Sequence, residues 1–304
     1  MSSIEGVGKE PGHEASQVDK MLLPLNTIVQ QKLTKHYSSV LGIFQSLAAS
    51  GYLSFYQVIG FLDIADLLLD SDDMILIKLI QVLLIVTTRE SLSAQPMANK
   101  VLAFSLKVFS TREPIIKNNI LAVLRQLHSL LFEQYTQHQT KNLEDICYEQ
   151  LNQLITIVGD KSKPMNIKCL GIDLITLILV EARKVLKSSK QLNKLLRKDY
   201  VPLLENYLIN EAGTFVVLMR SIKSVTQLLI TLQSSYDVLQ PVLNLANSSH
   251  SWQRYLALES FCTLFSDYRQ IQLLNDAIRL STNLPVLLNI HIDSQRHNKR
   301  NKHY

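Results

Sequence analysis

Seven positive groups crowd one short stretch of this chain: Arg183, Lys184, Lys187, Lys190, Lys194, Arg197 and Lys198, with Glu181 as the one acid among them. Side chains of this kind at this density suit contact with an anionic lipid surface or an acidic partner; near a charged leaflet each Lys or Arg contributes about 1 kcal/mol. Leu186, Leu192, Leu195 and Leu196 are interspersed with them. The segment therefore also reads as an inward-packed helix whose cations are simply solvated. Nucleic acid fits less well, because single-stranded recognition uses aromatic stacking platforms and only Tyr200 lies near the cluster.

No other set of residues assembles a reaction centre. The histidines stand at 13, 36, 128, 138, 250, 291, 297 and 303, none at zinc-ligand spacing from a cysteine or an acid. His291, His297 and His303 share a six-residue interval, and incidental metal affinity is the reading they support. In GVGKEPG, Lys9 is followed by Glu10 where a phosphate loop needs a magnesium-binding hydroxyl. Five aspartates lie between positions 63 and 73. That loop lacks the glycine and the distal glutamate of a calcium-binding EF-hand, so helix capping accounts for it better. There is no Gly-x-Ser-x-Gly elbow. The expectation is a protein without enzymatic activity, cofactor or metal. Trp252, the sole tryptophan, follows Ser249-His250-Ser251 and is expected to start a helix and pack on the preceding hairpin. Interface anchoring is the alternative, since tryptophan is common at binding hot spots.

The elements that must carry these residues are helical. Met74–Val86 (MILIKLIQVLLIV) is apolar at all but Lys78 and Gln81, so a helix there must be enclosed by neighbours. It is too short to span a bilayer, which takes about 20 apolar residues. Val40, Ile43, Phe44 and Leu47 recur at helical spacing before Ser50-Gly51, a C-terminal cap. Asp70-Ser71-Asp72-Asp73 offers N-cap oxygens to the buried helix that follows. Further helices are expected over 55–69, 94–109, from 115 onward and over 143–158, with Thr111-Arg112-Glu113-Pro114 as a breaker. Ile116, Ile120, Val123, Leu124, Leu127 and Leu131 share one face.

Composition agrees with helices: 47% hydrophobic residues, with nine glycines and eight prolines in 304 positions. No alternating strand pattern appears. Pro164, Pro202, Pro241 and Pro285 keep a rhythm close to the period of about 40–47 residues of HEAT and armadillo repeats. The fold class expected is all-α, an α-solenoid of HEAT/armadillo-like helical hairpins. The organisation expected is a disordered N-terminus over 1–20, a helical domain over 21–160, a helical-repeat region over 161–280 and a basic flexible tail over 281–304. The net charge of +5 and pI near 9.0 owe much to the cluster at 183–198. Cys147, Cys169 and Cys262 cannot all pair and read as buried thiols in a reducing compartment. Residues 1–20 lack the apolar core of a signal peptide. A location in the cytosol, or on the cytosolic face of a membrane, follows.

Two segments carry a family resemblance. Ile77–Glu133 has a long apolar helix ending in Thr87-Thr88, an acidic-proline break at Glu113-Pro114, and Leu124-Arg125-Gln126-Leu127 before Phe132-Glu133. It resembles the N-terminal dimerisation and cyclophilin-binding (DCB) domain of the large BIG-type Arf guanine-nucleotide-exchange factors and the related Mon-two trafficking scaffolds. His250–Asp267 (HSWQRYLALESFCTLFSD) is similar to the tryptophan-centred helix start between that domain and the homology-upstream (HUS) region; Tyr200–Gly213 fits the same array. The resemblance assigns 21–160 to a DCB-like domain and 161–280 to a HUS-like region. It implies a non-enzymatic scaffold in vesicle-mediated protein transport, peripheral on Golgi or endosomal membranes. It also implies a homodimer, and protein partners that include Arf-like small GTPases. The family's exchange domain and the asparagine-tyrosine-aspartate-cysteine box are not found in the sequence. The chain thus reads as a short paralogue, a fragment or a truncated gene model. A HEAT-like adaptor outside trafficking and a basic nucleic-acid-binding protein are the alternatives.

Overall fold

The computed structural model describes residues 11–53, 55–88, 95–111, 113–210, 215–232 and 242–266. Every regular element among them is helical, and no strand occurs among the described residues. The architecture is an all-α helical repeat, and the chain divides into two compact units, 1–130 and 131–304.

Unit 1 contains α1 (Pro11–Gln30), α2 (Tyr37–Ser50), α3 (Phe55–Leu67), α4 (Asp73–Thr87), α5 (Gln95–Thr111) and the first part of α6 (Pro114–His138). Helices two apart in sequence pack side by side, α2 on α4 and α3 on α5. Local signals set the ends. Gly51 closes α2 at φ 80°, and its N–H reaches back to the carbonyls of Leu47 and Ala48, a left-handed position that glycine occupies without steric cost. The Asp72 carboxylate caps α4 by accepting from the Ile75 N–H at 2.9 Å. Asp63 and Asp66 hold Lys100 and Lys107 of α5. Capping and ion pairing thus occupy three of the aspartates of that stretch.

Two expectations change here. α1 begins at Pro11, so the stretch 11–20, expected to be disordered, is helical; its polar residues extend a helix whose apolar anchors Leu22, Leu25 and Val29 are buried. Residues 1–10 lie outside the described residues. α4 is not enclosed on every side. Leu76, Leu79, Val82 and Leu83 are fully buried, whereas Met74 is 68% exposed and Leu84 36%. Together with Lys78 and Gln81 they form one open stripe, because positions three and four apart share a helix face. The apolar composition of α4 hid an amphipathic arrangement.

Unit 2 holds the rest of α6, then α7 (Lys141–Gly159), α8 (Met165–Glu181), α9 (Arg183–Ser188), α10 (Lys190–Leu195), a π-helical turn (Leu196–Tyr200), α11 (Val201–Asn210), α12 (Phe215–Leu232), the short α13 (242–246) and α14 (Ser251–Ser266). α7 and α8 form a close hairpin, so the loop at 160–164, expected as a domain boundary, is an internal turn of this unit. A Cβ placed on Gly171 of α8 would come 2.7 Å from Cγ2 of Val158, which is why glycine stands there. α12 packs on α8, α9, α11 and α14. By length and composition it could cross a membrane, but 67% of it is buried inside the fold, as expected of a core helix.

Hydroxyls stitch this core. The Tyr207 hydroxyl donates to the Val158 carbonyl at 2.7 Å, Thr231 donates to the Leu179 carbonyl at 3.0 Å, Tyr200 and Ser224 share a bond of 2.6 Å, and Thr226 and Ser260 one of 2.5 Å. Arg220 of α12 grips both carboxylate oxygens of Asp173 on α8. Cys147 and Cys169 are buried as expected, while Cys262 is only half-buried.

Candidate functional site

The basic segment is not the continuous helix its sequence suggests. Leu186, Leu192, Leu195 and Leu196 are buried, which fixes which way the segment faces. The helix nevertheless breaks at Ser189, whose ψ of 114° is extended. The Ser189 hydroxyl donates to Glu144 of α7 at 2.6 Å and caps α10 by accepting from the Leu192 N–H at 3.2 Å. Glu144 is held below the ordinary carboxylate range, first by that hydroxyl and also by Lys141, against the opposing pull of burial. Lys141 in turn donates to Gln191 of α10 at 2.9 Å. The break is thus tied to the start of α7.

A second irregularity follows. Pro202 lacks an N–H, and in a regular helix its ring would meet the carbonyl of Lys198 four residues back. The π-helical turn over Leu196–Tyr200 lies directly ahead of it and widens the helix where that carbonyl must yield.

Around the break and the wide turn the cations sort into two kinds. Both arginines reach inward: Arg183 donates to Gln227 of α12 at 3.3 Å, and Arg197 donates to Asn193 at 2.7 Å and to the Leu232 carbonyl at 3.0 Å. They pin the segment to α12. Lys184, Lys187, Lys190, Lys194 and Lys198 are exposed and form no ion pair among the described residues. Four of these lysines, with Asn193 and Arg197, line a shallow depression of about 400 Å³; Lys184 stands outside it. Reading charge from sequence grouped all seven. The arginine partners Gln227 and Leu232 lie too far along the chain to have been foreseen.

Trp252 starts α14 as expected and is half-buried, neither sealed in the core nor free of it. Its ring lies edge-on to Phe215 of α12 at 5.4 Å. Both border an open depression of about 600 Å³ with Met219, Tyr255 and Leu256. Phe215 is 49% exposed and Tyr255 66%. Phe215 comes from a helix distant in sequence and carries no local signal, whereas Trp252 and Tyr255 stand three apart and so share a helix face.

The expected basic tail at 281–304, with His291, His297 and His303, lies outside the described residues, as do Pro241 and Pro285. Among the described residues no group of His, Cys, Asp and Glu could hold a metal ion.

The family model of the Mon2/Sec7/BIG1-like HUS domain matches residues 117–274. That span is more than half of the chain, and the protein belongs to this family, the trafficking proteins related to the Arf guanine-nucleotide-exchange factors. The match opens within α6, upstream of position 161, and takes in the whole basic segment and Trp252. The HUS domain is a non-catalytic region of Sec7-like proteins. No curated protein matches the chain.

Proposed function

We propose that this protein is a non-enzymatic scaffold in vesicle-mediated transport, peripheral on Golgi or endosomal membranes, which lays the lysine face of α9 and α10 on the anionic cytosolic leaflet. The observation that carries the reading is a set of five exposed lysines without ion-pair partners among the described residues, held by a buried leucine face inside a trafficking-family domain. Like charges three or four apart on a helix repel at a cost of about 0.2–0.5 kcal/mol per pair. An anionic leaflet would relieve that repulsion. The helices ahead of the HUS-domain match supply the dimerisation module, and trafficking proteins, Arf-like small GTPases among them, are the partners.

Co-flotation with phosphatidylserine vesicles tests the membrane contact. Binding should weaken as salt rises, because the Debye length shortens to about 8 Å at physiological ionic strength. Exchanging Lys187, Lys190 and Lys194 for Glu should abolish binding and leave the helical signal intact. Vesicle binding unchanged in that variant would remove the lysine face from the reading. Preferential binding of duplex or single-stranded nucleic acid at the same salt would favour the nucleic-acid alternative. A dimer should sediment as one species over a wide concentration range; open-ended growth would point instead to exposed solenoid faces.

A further inference from the structure

We infer that the depression lined by α9, α10 and the π-helical turn is a binding site for a ligand bearing two or more phosphate monoesters on one small polar scaffold. The inference rests on the reading of α9 and α10 as an anion-contact surface and goes further, from diffuse attraction to a site with a stoichiometry.

The lining decides the ligand class. Lys187, Lys190, Lys194, Lys198 and Arg197 bring five formal positive charges to a space of about 400 Å³, with Asn193 as the other lining residue and no carboxylate among the lining groups. The depression is shallow and open, so a ligand there would be held by charge and hydrogen bonds and not by enclosure. One phosphate monoester carries close to two negative charges and would leave most of the site's charge unmatched. Two or three close together would match it. Lysine ammonium groups are compact point charges with rotatable donors, suited to phosphates whose spacing is not fixed in advance.

The lining also excludes neighbouring classes. No aromatic ring borders the depression, so a nucleobase would find no stacking surface. Every lining side chain is polar or cationic and the apolar surface consists of flexible lysine and arginine stems, so the lining offers charge and no dedicated pocket for an acyl chain.

The frame beneath the lysines is preorganised. Arg197 is fixed by Asn193 and the Leu232 carbonyl. Ser189 holds the break that separates Lys187 from Lys190 through its bond to Glu144. Buried Leu186, Leu192, Leu195 and Leu196 anchor the backbone. Binding therefore has to order lysine side chains but no main chain, which limits its entropic cost.

The clustered phosphates can come from a lipid headgroup or from a soluble polyphosphate, and one experiment separates the sources. The full chain is titrated calorimetrically with soluble inositol trisphosphate and, separately, with inorganic phosphate. It is also floated with vesicles containing phosphatidylinositol bisphosphate and with phosphatidylserine vesicles of equal surface charge. The expected result is saturable one-to-one binding of inositol trisphosphate, tighter than inorganic phosphate by about tenfold or more, with preference for the bisphosphate vesicles and release from them by the soluble ligand.

Replacing Lys190, Lys194 and Lys198 by Ala should remove this binding without shifting the melting transition. Replacing Lys100 and Lys107 of unit 1 by Ala should leave it unchanged. Equal flotation with both vesicles and no soluble binding would overturn the site while leaving the membrane reading standing. Soluble binding without flotation would support the site and overturn the membrane reading. Failure of every arm overturns both. Trisphosphate binding that survives the Lys190, Lys194 and Lys198 replacement, or that inorganic phosphate equals, would overturn the site alone.

Discussion

The lysines of α5 in unit 1 and those of the basic segment in unit 2 are used in opposite ways. On α5, Lys100 and Lys107 are matched by Asp63 and Asp66 of α3, so charge is neutralised at the surface of an apolar core where Phe44 and Phe61 lie 4.7 Å apart. In unit 2 the polar stitching is buried, as in Tyr207 to Val158 and Thr231 to Leu179. The lysines of α9, α10 and the π-helical turn are left without ion-pair partners among the described residues. Exposed ion pairs contribute little, usually under about 1 kcal/mol each. The difference therefore says less about stability than about use: paired lysines are tied to the fold, and displayed ones remain available to something outside it.

The largest effect should come from Leu83→Asp in α4. Leu83 is 0% exposed, and burying an unpaired carboxylate there should cost more than about 4 kcal/mol. Urea denaturation would measure it. A midpoint like the parent's would mean that unit 1 is not the apolar body described.

Next in size is a pH effect in the same core. His128 is fully buried; its Nδ1 lies 2.7 Å from the Leu124 carbonyl, and its Nε2 has no protein partner. Burial lowers its pKa from 6.5 to about 4, outweighing the backbone bond that raises it. The unfolded chain then holds the extra proton between those values. The stability from this group is complete above about pH 6.5 and is lost as pH falls toward 4, about 3 kcal/mol in all. His128→Leu should flatten that slope. Because carboxylates titrate over part of the same range, the readout is the difference between parent and variant in denaturation series at each pH.

A pair of identical substitutions separates the two units at smaller scale. Gly171→Ala in unit 2 forces a methyl group against Val158, 2.7 Å away, and should destabilise by about 1–3 kcal/mol. Gly42→Ala in α2 of unit 1 meets nothing within 4 Å and should stabilise by about 0.5–1 kcal/mol through helix propensity. Thermal melts moving in the same direction would undo the contrast between a close helix contact and an open one.

The smallest stability effects belong to the lysines themselves. Asp63→Asn with Asp66→Asn should cost less than about 1 kcal/mol per pair lost. Exchanging Lys187, Lys190 and Lys194 for Glu should alter stability by less than about 0.5 kcal/mol while vesicle binding disappears. If that exchange destabilised more than the loss of the Asp63 and Asp66 pairs, the displayed lysines would be structural after all.

Helix positions were legible because their signals are local. The αL glycine at Gly51, the Asp72 cap and the break before Pro114 depend on neighbours a few residues away, and each stands where the sequence put it. The buried face Ile116, Ile120, Val123, Leu124, Leu127 and Leu131 was equally readable, since a helix repeats its face every three or four residues. The basic cluster could be located in the sequence. Its form could not.

What the sequence by itself determined is the all-α class, the apolar faces and the place where positive charge accumulates, all consequences of periodicity and composition. Only tertiary structure decided the rest. Ser189 breaks the basic helix with Glu144 from another helix, Arg183 and Arg197 turn inward because α12 offers Gln227 and the Leu232 carbonyl, and Gly171 is required because Val158 lies against it. Each depends on a partner distant along the chain. Which cation is a pin and which is displayed is therefore settled by packing, because hydrogen-bond acceptors and steric contacts act over a few ångströms of space whatever the separation in sequence.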